Sequence, residues 1–294
     1  MLSRLKTITA MQPSHPRLPH WMKTPLPTGR AYSRTKNLVI KGKLNTICVS
    51  GNCPNKGECW SAGTATFMIL GDKCTRDCKF CQVNTLKPDD LDYDEPLRLA
   101  NTIKLMKLKH CVITSVARDE LPDGGAGIWE TTIKTIKEVN PGITMEVLIP
   151  DFRRGTRVLD MIVDAGPEII SHNIETVRRL NPVIRSMSRY EHSLELLKYL
   201  SSKGARVKSG MMLGLGETAK EVCQAMDDLL KSGVKVLTLG QYLQPSVRHI
   251  KMVEFIRPEV FDLYRQKGLM KGFEIVESGP NVRSSYHSER HMQK

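Results

Sequence analysis

Six of the eight cysteines lie within 34 residues, in two triplets of different spacing: Cys48, Cys53 and Cys59 read C-x4-C-x5-C, and Cys74, Cys78 and Cys81 read C-x3-C-x2-C. Thiolates this close in sequence readily fold around one shared metal centre. Three ligands are one short of the tetrad that a structural zinc takes, so each triplet reads as a cluster site with one iron left open. A disulfide framework fits poorly. No signal-peptide core and no apolar run of roughly 20 residues is present in the 294, and clustered Cys in such a chain points to metal or redox chemistry.

The elements that must position these thiols follow from the apolar runs. Thr64–Leu70 (TATFMIL) reads as a buried strand, which puts the second triplet on the loop after it. Further strands are expected at 111–115, 144–149, 168–171, 206–212, 235–239 and 273–276. Helical patterns lie between them near 96–108, 128–138, 156–164, 190–203, 218–231 and 258–268, and Gly204, Gly233 and Gly272 close three of these. Repeated βα units predict an α/β fold with a parallel sheet, either doubly wound or curled into a full or partial barrel. In both, ligands bind at the carboxyl ends of the strands, where the second triplet would sit.

The net charge of +13 is concentrated near the start. Residues 1–57 carry ten Lys or Arg and no acid, whereas the rest has 34 basic against 31 acidic residues. Such an arm could attract an acidic protein, nucleic acid or an import receptor, or simply be solvated. Five prolines from Pro13 to Pro27 favour extended backbone laid over a surface.

C-x3-C-x2-C after an early strand, with Phe80 before the last cysteine, resembles the cluster loop of radical S-adenosylmethionine (SAM) enzymes. The first triplet, Cys48-VSGN-Cys53-PNKGE-Cys59, resembles the auxiliary-cluster motif of lipoyl synthases, and Arg283-Ser284-Ser285-Tyr286-His287 resembles that family's RSSY segment. LPTG (26–29), TSVARDELPDGGA (114–126), SHNIET (171–176), KSGMMLGLGE (208–217) and LTLGQYLQPS (237–246) agree, so the similarity runs from about Arg17 to Met292.

That resemblance implies a partial (β/α)6 TIM-type barrel whose N- and C-terminal extensions cover the open face. The divisions expected are a flexible tail at 1–16, an extension carrying the auxiliary motif at 17–63, the barrel at 64–272 and a C-terminal segment at 273–294. It implies two [4Fe–4S] clusters, one held by Cys74, Cys78 and Cys81 with SAM as cosubstrate, the other by Cys48, Cys53, Cys59 and Ser285. The implied reaction inserts two sulfurs, at C6 and C8, into an octanoyl-lysine, both donated by the second-named cluster. Implied partners are octanoylated lipoyl carrier domains of 2-oxoacid dehydrogenases and the glycine-cleavage carrier protein, an electron donor and an iron–sulfur carrier, with neither nucleic acid nor membrane. A cytoplasmic location is expected, with mitochondrial import the alternative.

Strand position extends the candidate set to Thr114 and Ser115 for the methionine end of SAM, and to Asn173 and Glu175, where an acid can accept from ribose hydroxyls. Lys208, within the fifth strand, and Arg189, available to a carboxylate, join them alongside Phe80. Each could equally be a salt bridge or helix cap. The family usually has Asp where this chain has Ala117; Asp119 and Glu120 are the nearby acids that could replace it. GLGE at 214–217 looks like a phosphate loop without its partners, and a strand-to-helix turn fits better. Cys111 and Cys223 read as packing residues. Another radical SAM enzyme would carry auxiliary cysteines after the barrel, but none follows Cys223. A zinc-bearing RNA-binding module would need tetrads and interleaved aromatics, which 5% aromatic content does not supply.

Overall fold

The computed structural model describes residues 17–24, 29–185 and 187–292. The tail proposed at 1–16 and residues 26–28 of LPTG fall outside them.

An amphipathic helix α1 (Arg30–Lys41) comes first and buries Thr35 and Val39. The two-residue strand β1 (Asn45–Thr46) and the short helices α2 (Ile47–Ser50) and α3 (Lys56–Ser61) follow. The main alternation then runs β2 (Thr66–Ile69), β3 (Lys73–Cys74), β4 (Asn84–Thr85), α4 (Glu95–Met106), β5 (His110–Ser115), α5 (Ala126–Val139), β6 (Thr144–Leu148) and α6 (Thr156–Asp164). It continues through β7 (Ile169–Ser171), α7 (Asn181–Ile184), α8 (Tyr190–Ser202), β8 (Val207–Leu213), α9 (Ala219–Lys231), β9 (Val236–Gln241), α10 (Pro258–Lys271) and β10 (Ile275–Gly279). A 3-10 turn spans Ser288–Met292.

The large sheet is ordered β1-β2-β5-β6-β7-β8-β9-β10. Among the described residues only the β1–β2 pair of this sheet is antiparallel; every other neighbouring pair is parallel. Six βα units therefore run from β2 to α10, and β10 adds a seventh parallel strand beside β9. Among the described residues the two end strands do not pair, so the barrel is partial, as the resemblance implies. The strands are continuous apolar runs because both faces are covered: all four residues of β2 and all six of β9 are buried. Outside, α9 begins with a capping box, Thr218 Oγ1 accepting from the Glu221 amide and Glu221 returning a bond to the Thr218 amide at 2.8 Å.

The basic arm contains a helix that composition alone hides. Thr35 Oγ1 donates to the Trp60 carbonyl at 2.8 Å, and the Tyr32 and Trp60 rings lie 5.5 Å apart, so α1 is pinned against α3 and thus against the first cysteine triplet. Lys36 and Lys41 on α1, and Lys43 just after it, remain exposed.

Candidate functional site

The second triplet sits at the carboxyl end of β2, on a loop braced from several sides. Arg76, inside the triplet and nearly buried, is clamped between two carboxylates. Its guanidinium meets Asp119 beyond β5 through Nε at 2.7 Å and NH2 at 2.6 Å, and Asp151 beyond β6 at 2.6 Å. Asp151 also accepts from Ser188 at 2.6 Å. The loop backbone is tied further round the barrel: the Lys79 amide donates to the Ile184 carbonyl at 3.1 Å, and Ile250 donates to the Lys79 carbonyl at 2.9 Å. His249 Nε2 donates to the Cys81 carbonyl at 3.0 Å. Cys74 Sγ accepts from the amides of Arg76 and Ala117, both at 3.4 Å. Hydrogen bonds to sulfur of this kind tune a cluster's potential.

The first triplet is built differently. Cys48 lies in α2, Cys53 in the turn after it and Cys59 in α3. The segment after β10 closes over them. Asn55 Nδ2 donates to the Asn281 carbonyl at 2.6 Å, Thr66 Oγ1 to Ser285 Oγ at 2.7 Å, and the Tyr286 hydroxyl to Glu58 at 3.1 Å. Arg283 lies close enough to Cys53 for their charges to interact. This approach depends on Gly240: a Cβ there would stand 2.1 Å from the Val282 carbonyl oxygen.

Both triplets face one cavity of about 640 Å³ at the carboxyl ends of the strands. Cys48, Cys53, Cys74, Cys78, Cys81 and Ser285 line it, while Cys59 stands behind the wall. Phe80, Thr114, Ser115, Asn173 and Glu175 line it as well. Thr114 Oγ1 donates to the Leu148 carbonyl at 3.0 Å, and Ser115 Oγ accepts from Trp129 Nε1 at 3.2 Å, so each hydroxyl is already oriented. Asn173 donates through Nδ2 to Ser284 Oγ at 2.8 Å, leaving Oδ1 buried and unpartnered beside the cavity. Glu175 holds a left-handed φ of 65°, a costly conformation for this residue type that concentrates at binding sites. Burial pushes its carboxyl up, with Arg185 and then Asn173 opposing.

Two expected residues are elsewhere. Arg189 is an exposed N-cap of α8 and does not reach the cavity; Arg185, four residues earlier, does. The turn after α7 directs Arg185 inward, where NH1 donates to the Asn173 carbonyl at 3.0 Å and to Ser193 Oγ at 3.1 Å. Lys208 is fully buried outside the cavity lining, paired with Glu146 at 2.8 Å. Of the acids near Ala117, Asp119 pairs with Arg76 and Glu120 with Arg118. Arg76, Asp151, Arg185 and His249 were missed by the sequence reading; only the arginine inside the cysteine loop was a visible signal. At 214–217 the turn reading holds. Glu217 fills the loop's own amides, accepting from Gly214 at 2.6 Å and Leu215 at 2.9 Å, while a Cβ on Gly214 would meet Gln241 at 2.3 Å.

Each triplet offers three free thiols, soft ligands of the kind that hold iron–sulfur clusters. Among the described residues no three His, Cys, Asp or Glu side chains form a group that could hold one metal ion. The thiols of each triplet still feel one another's charge. Burial first, then the neighbouring thiols, push Cys59 and Cys81 up to about 12. Burial likewise raises Cys78 to about 11. Loading iron must therefore release protons.

The comparisons agree with this geometry. The radical SAM superfamily pattern matches residues 68–229, and the N-terminal domain of lipoyl synthase matches residues 5–53. Lipoyl synthase of Parabacteroides distasonis is 55% identical over 95% of this chain and 99% of its own. Mitochondrial lipoyl synthase of Nematostella vectensis is 53% identical over 98% and 100%. Among solved structures, HydG, a maturase of the [FeFe]-hydrogenase, superposes with TM-score 0.55 at 13% identity, covering 90% of this chain and 74% of that one. Methylornithine synthase does so with 0.54 at 12%, covering 87% and 83%. These two share the fold alone. The chain belongs to the lipoyl synthase family of the radical SAM superfamily.

Proposed function

We propose that this chain is a lipoyl synthase whose two cysteine triplets divide the reaction between them across one cavity. The observation that carries the division is the placement of Ser285: a hydroxyl from beyond the barrel stands 2.7 Å from Thr66 on β2, at the wall shared with Cys48 and Cys53. Cys74, Cys78 and Cys81 would hold one [4Fe–4S] cluster beside SAM; Cys48, Cys53, Cys59 and Ser285 would hold the other. When bound, the first supplies the electron that cleaves SAM to methionine and a 5′-deoxyadenosyl radical, and the second supplies both sulfurs. Side-chain bases cannot remove protons from unactivated methylenes, so the protein's own part is to bind, orient and keep water out.

Phe80 and Met252, packed with Tyr242 and Leu215, make the apolar wall that excludes water near the second triplet. Thr114, Ser115, Asn173, Glu175 and Arg185 hold the polar ends of SAM: the Asn173 and Glu175 oxygens accept, and the Arg185 guanidinium faces a carboxylate. Ser285 would hold the second cluster through an oxygen, a weaker ligand to iron than thiolate and so suited to a site that gives up its sulfur. The substrate is an octanoyl chain already carried on a lipoyl domain. Carriers of 2-oxoacid dehydrogenases and of glycine cleavage are the proposed partners, with a reductase and an iron–sulfur carrier. The exposed lysines of α1 and Lys43 meet the carrier's acidic face. Among the described residues no helix is long and apolar enough to cross a membrane, and we place the enzyme in the cytoplasm, with mitochondria as the alternative.

An anaerobic single-turnover assay with SAM, reductant and an octanoyl-lysine peptide tests the reading. Dithiolane product with loss of iron from one cluster supports it. A Cys53→Ala protein that still inserts sulfur, or bound zinc in place of about eight irons, overturns it.

A further inference from the structure

The barrel lumen holds a buried ionic group that the proposed chemistry does not use. Lys208 on β8 and Glu146 on β6 are both wholly inaccessible and meet through two contacts of 2.8 Å. Ser171 on β7 donates to the same carboxylate at 2.8 Å, and Lys208 also donates to His291 Nδ1 at 3.2 Å. His291 is itself fully buried, its Nε2 3.8 Å from Glu277 on β10. One further donor contact of Lys208 leaves this group: it reaches the backbone carbonyl of Ser284.

An internal ion pair is seldom a net gain in stability, since desolvation offsets the attraction. Its directional donor, however, can fix a piece of backbone. The segment after β10 is held at three successive levels: Ser285 Oγ by Thr66 at 2.7 Å, Ser284 by Asn173 and Lys208, and Ser288 Oγ, 2.8 Å from His110 Nε2 at the start of β5. Asn173 holds a side chain that can rotate, whereas Lys208 holds the peptide adjoining Ser285. Resting on the proposed role of Ser285, we propose that Lys208, aimed by Glu146, is a positioning residue that sets Ser285 at the first cysteine triplet through the Ser284 carbonyl.

The test uses the charge-neutral pair Lys208→Met with Glu146→Gln, which avoids stranding a buried charge and keeps an acceptor for Ser171. Two readouts separate positioning from general support. First, hydrogen exchange on the metal-free chain should quicken by about tenfold or more at amides 283–287, with little change in strands β5 to β7. Second, in a Cys74→Ala, Cys78→Ala, Cys81→Ala background, which isolates the other cluster, the double variant's reduced-state resonance spectrum should match that of Ser285→Ala. Unchanged exchange together with the parent spectrum overturns the proposal. If the parent background binds no cluster, the functional reading fails instead, and the exchange measurement still decides the role of Lys208. Should the double variant not fold, the native chain answers through amine-reactive labelling. Protection of Lys208 supports the proposal, and modification as fast as at exposed Lys231 overturns it.

Discussion

The two cysteine regions share a cavity but are constructed on opposite plans. Around Cys74, Cys78 and Cys81 the loop is anchored within the barrel, by Arg76 to the β5 and β6 loops and by backbone bonds to the segments after β7 and β9. Around Cys48, Cys53 and Cys59 there is a two-residue antiparallel strand, two short helices and a lid-like segment from the other end of the sequence. The first plan suits a centre that must return unchanged after every turnover. The second suits one that must be dismantled and refilled, because its cover is not part of any barrel strand.

The sharpest way to break this contrast is to remove one thiol from each side. Cys78→Ala should abolish both SAM cleavage and sulfur insertion. Cys53→Ala should abolish insertion alone while 5′-deoxyadenosine still forms, as read by chromatography of a single-turnover reaction. Ser285→Ala should lower insertion by about a hundredfold, the upper end of what ligand-shell changes cost, with SAM cleavage within a few-fold of the parent. Equal losses of the two products would erase the distinction.

Arg76→Met probes the clamp. It strands Asp151, whose carboxylate is 2% accessible, and should cost about 3 kcal/mol in chemical denaturation of the metal-free chain. Acid sharpens the contrast further, because His172 supports only the barrel-side wall. Burial, then the Arg185 cation, pushes His172 down to about 4, so the fold keeps it neutral. An unfolded histidine titrates near 6.5, so the folded state binds fewer protons between those values. This contribution is intact above about 6.5 and shrinks as pH falls toward about 4, by at most about 3 kcal/mol. His172→Gln should flatten that part of the stability profile. The smallest effect is expected at the periphery. Neutralising Lys36, Lys41 and Lys43 together should slow carrier association a few-fold at low salt and hardly at all at high salt.

Legibility followed the same division. The strands were readable because burial on both faces demands unbroken apolar runs, as in TFMI and VLTLGQ. The cysteine spacing was readable because a cluster imposes it locally. Helix α1 was not, since proline and basic composition obscured a stripe of only two buried residues. Arg185 and Arg189 differ by little in sequence, and only the turn after α7 decides which one faces inward. Lys208 looked like a ligand contact because a charged residue in a strand near the site has two explanations. Its partner, Glu146, lies 62 residues away.

The bond from Thr66 to Ser285 joins positions 219 residues apart. A ribosome delivers all six thiols of the two triplets long before that serine, and before every strand from β5 to β10. Contacts of such long range form late and slowly in folding. Iron delivered to the nascent chain would therefore meet three sulfurs of the first triplet and no oxygen, exposed to whatever thiol or water is nearby. Complete loading must follow completion of the barrel. On the proposed role of Ser285, that site is complete only on the folded protein, after synthesis.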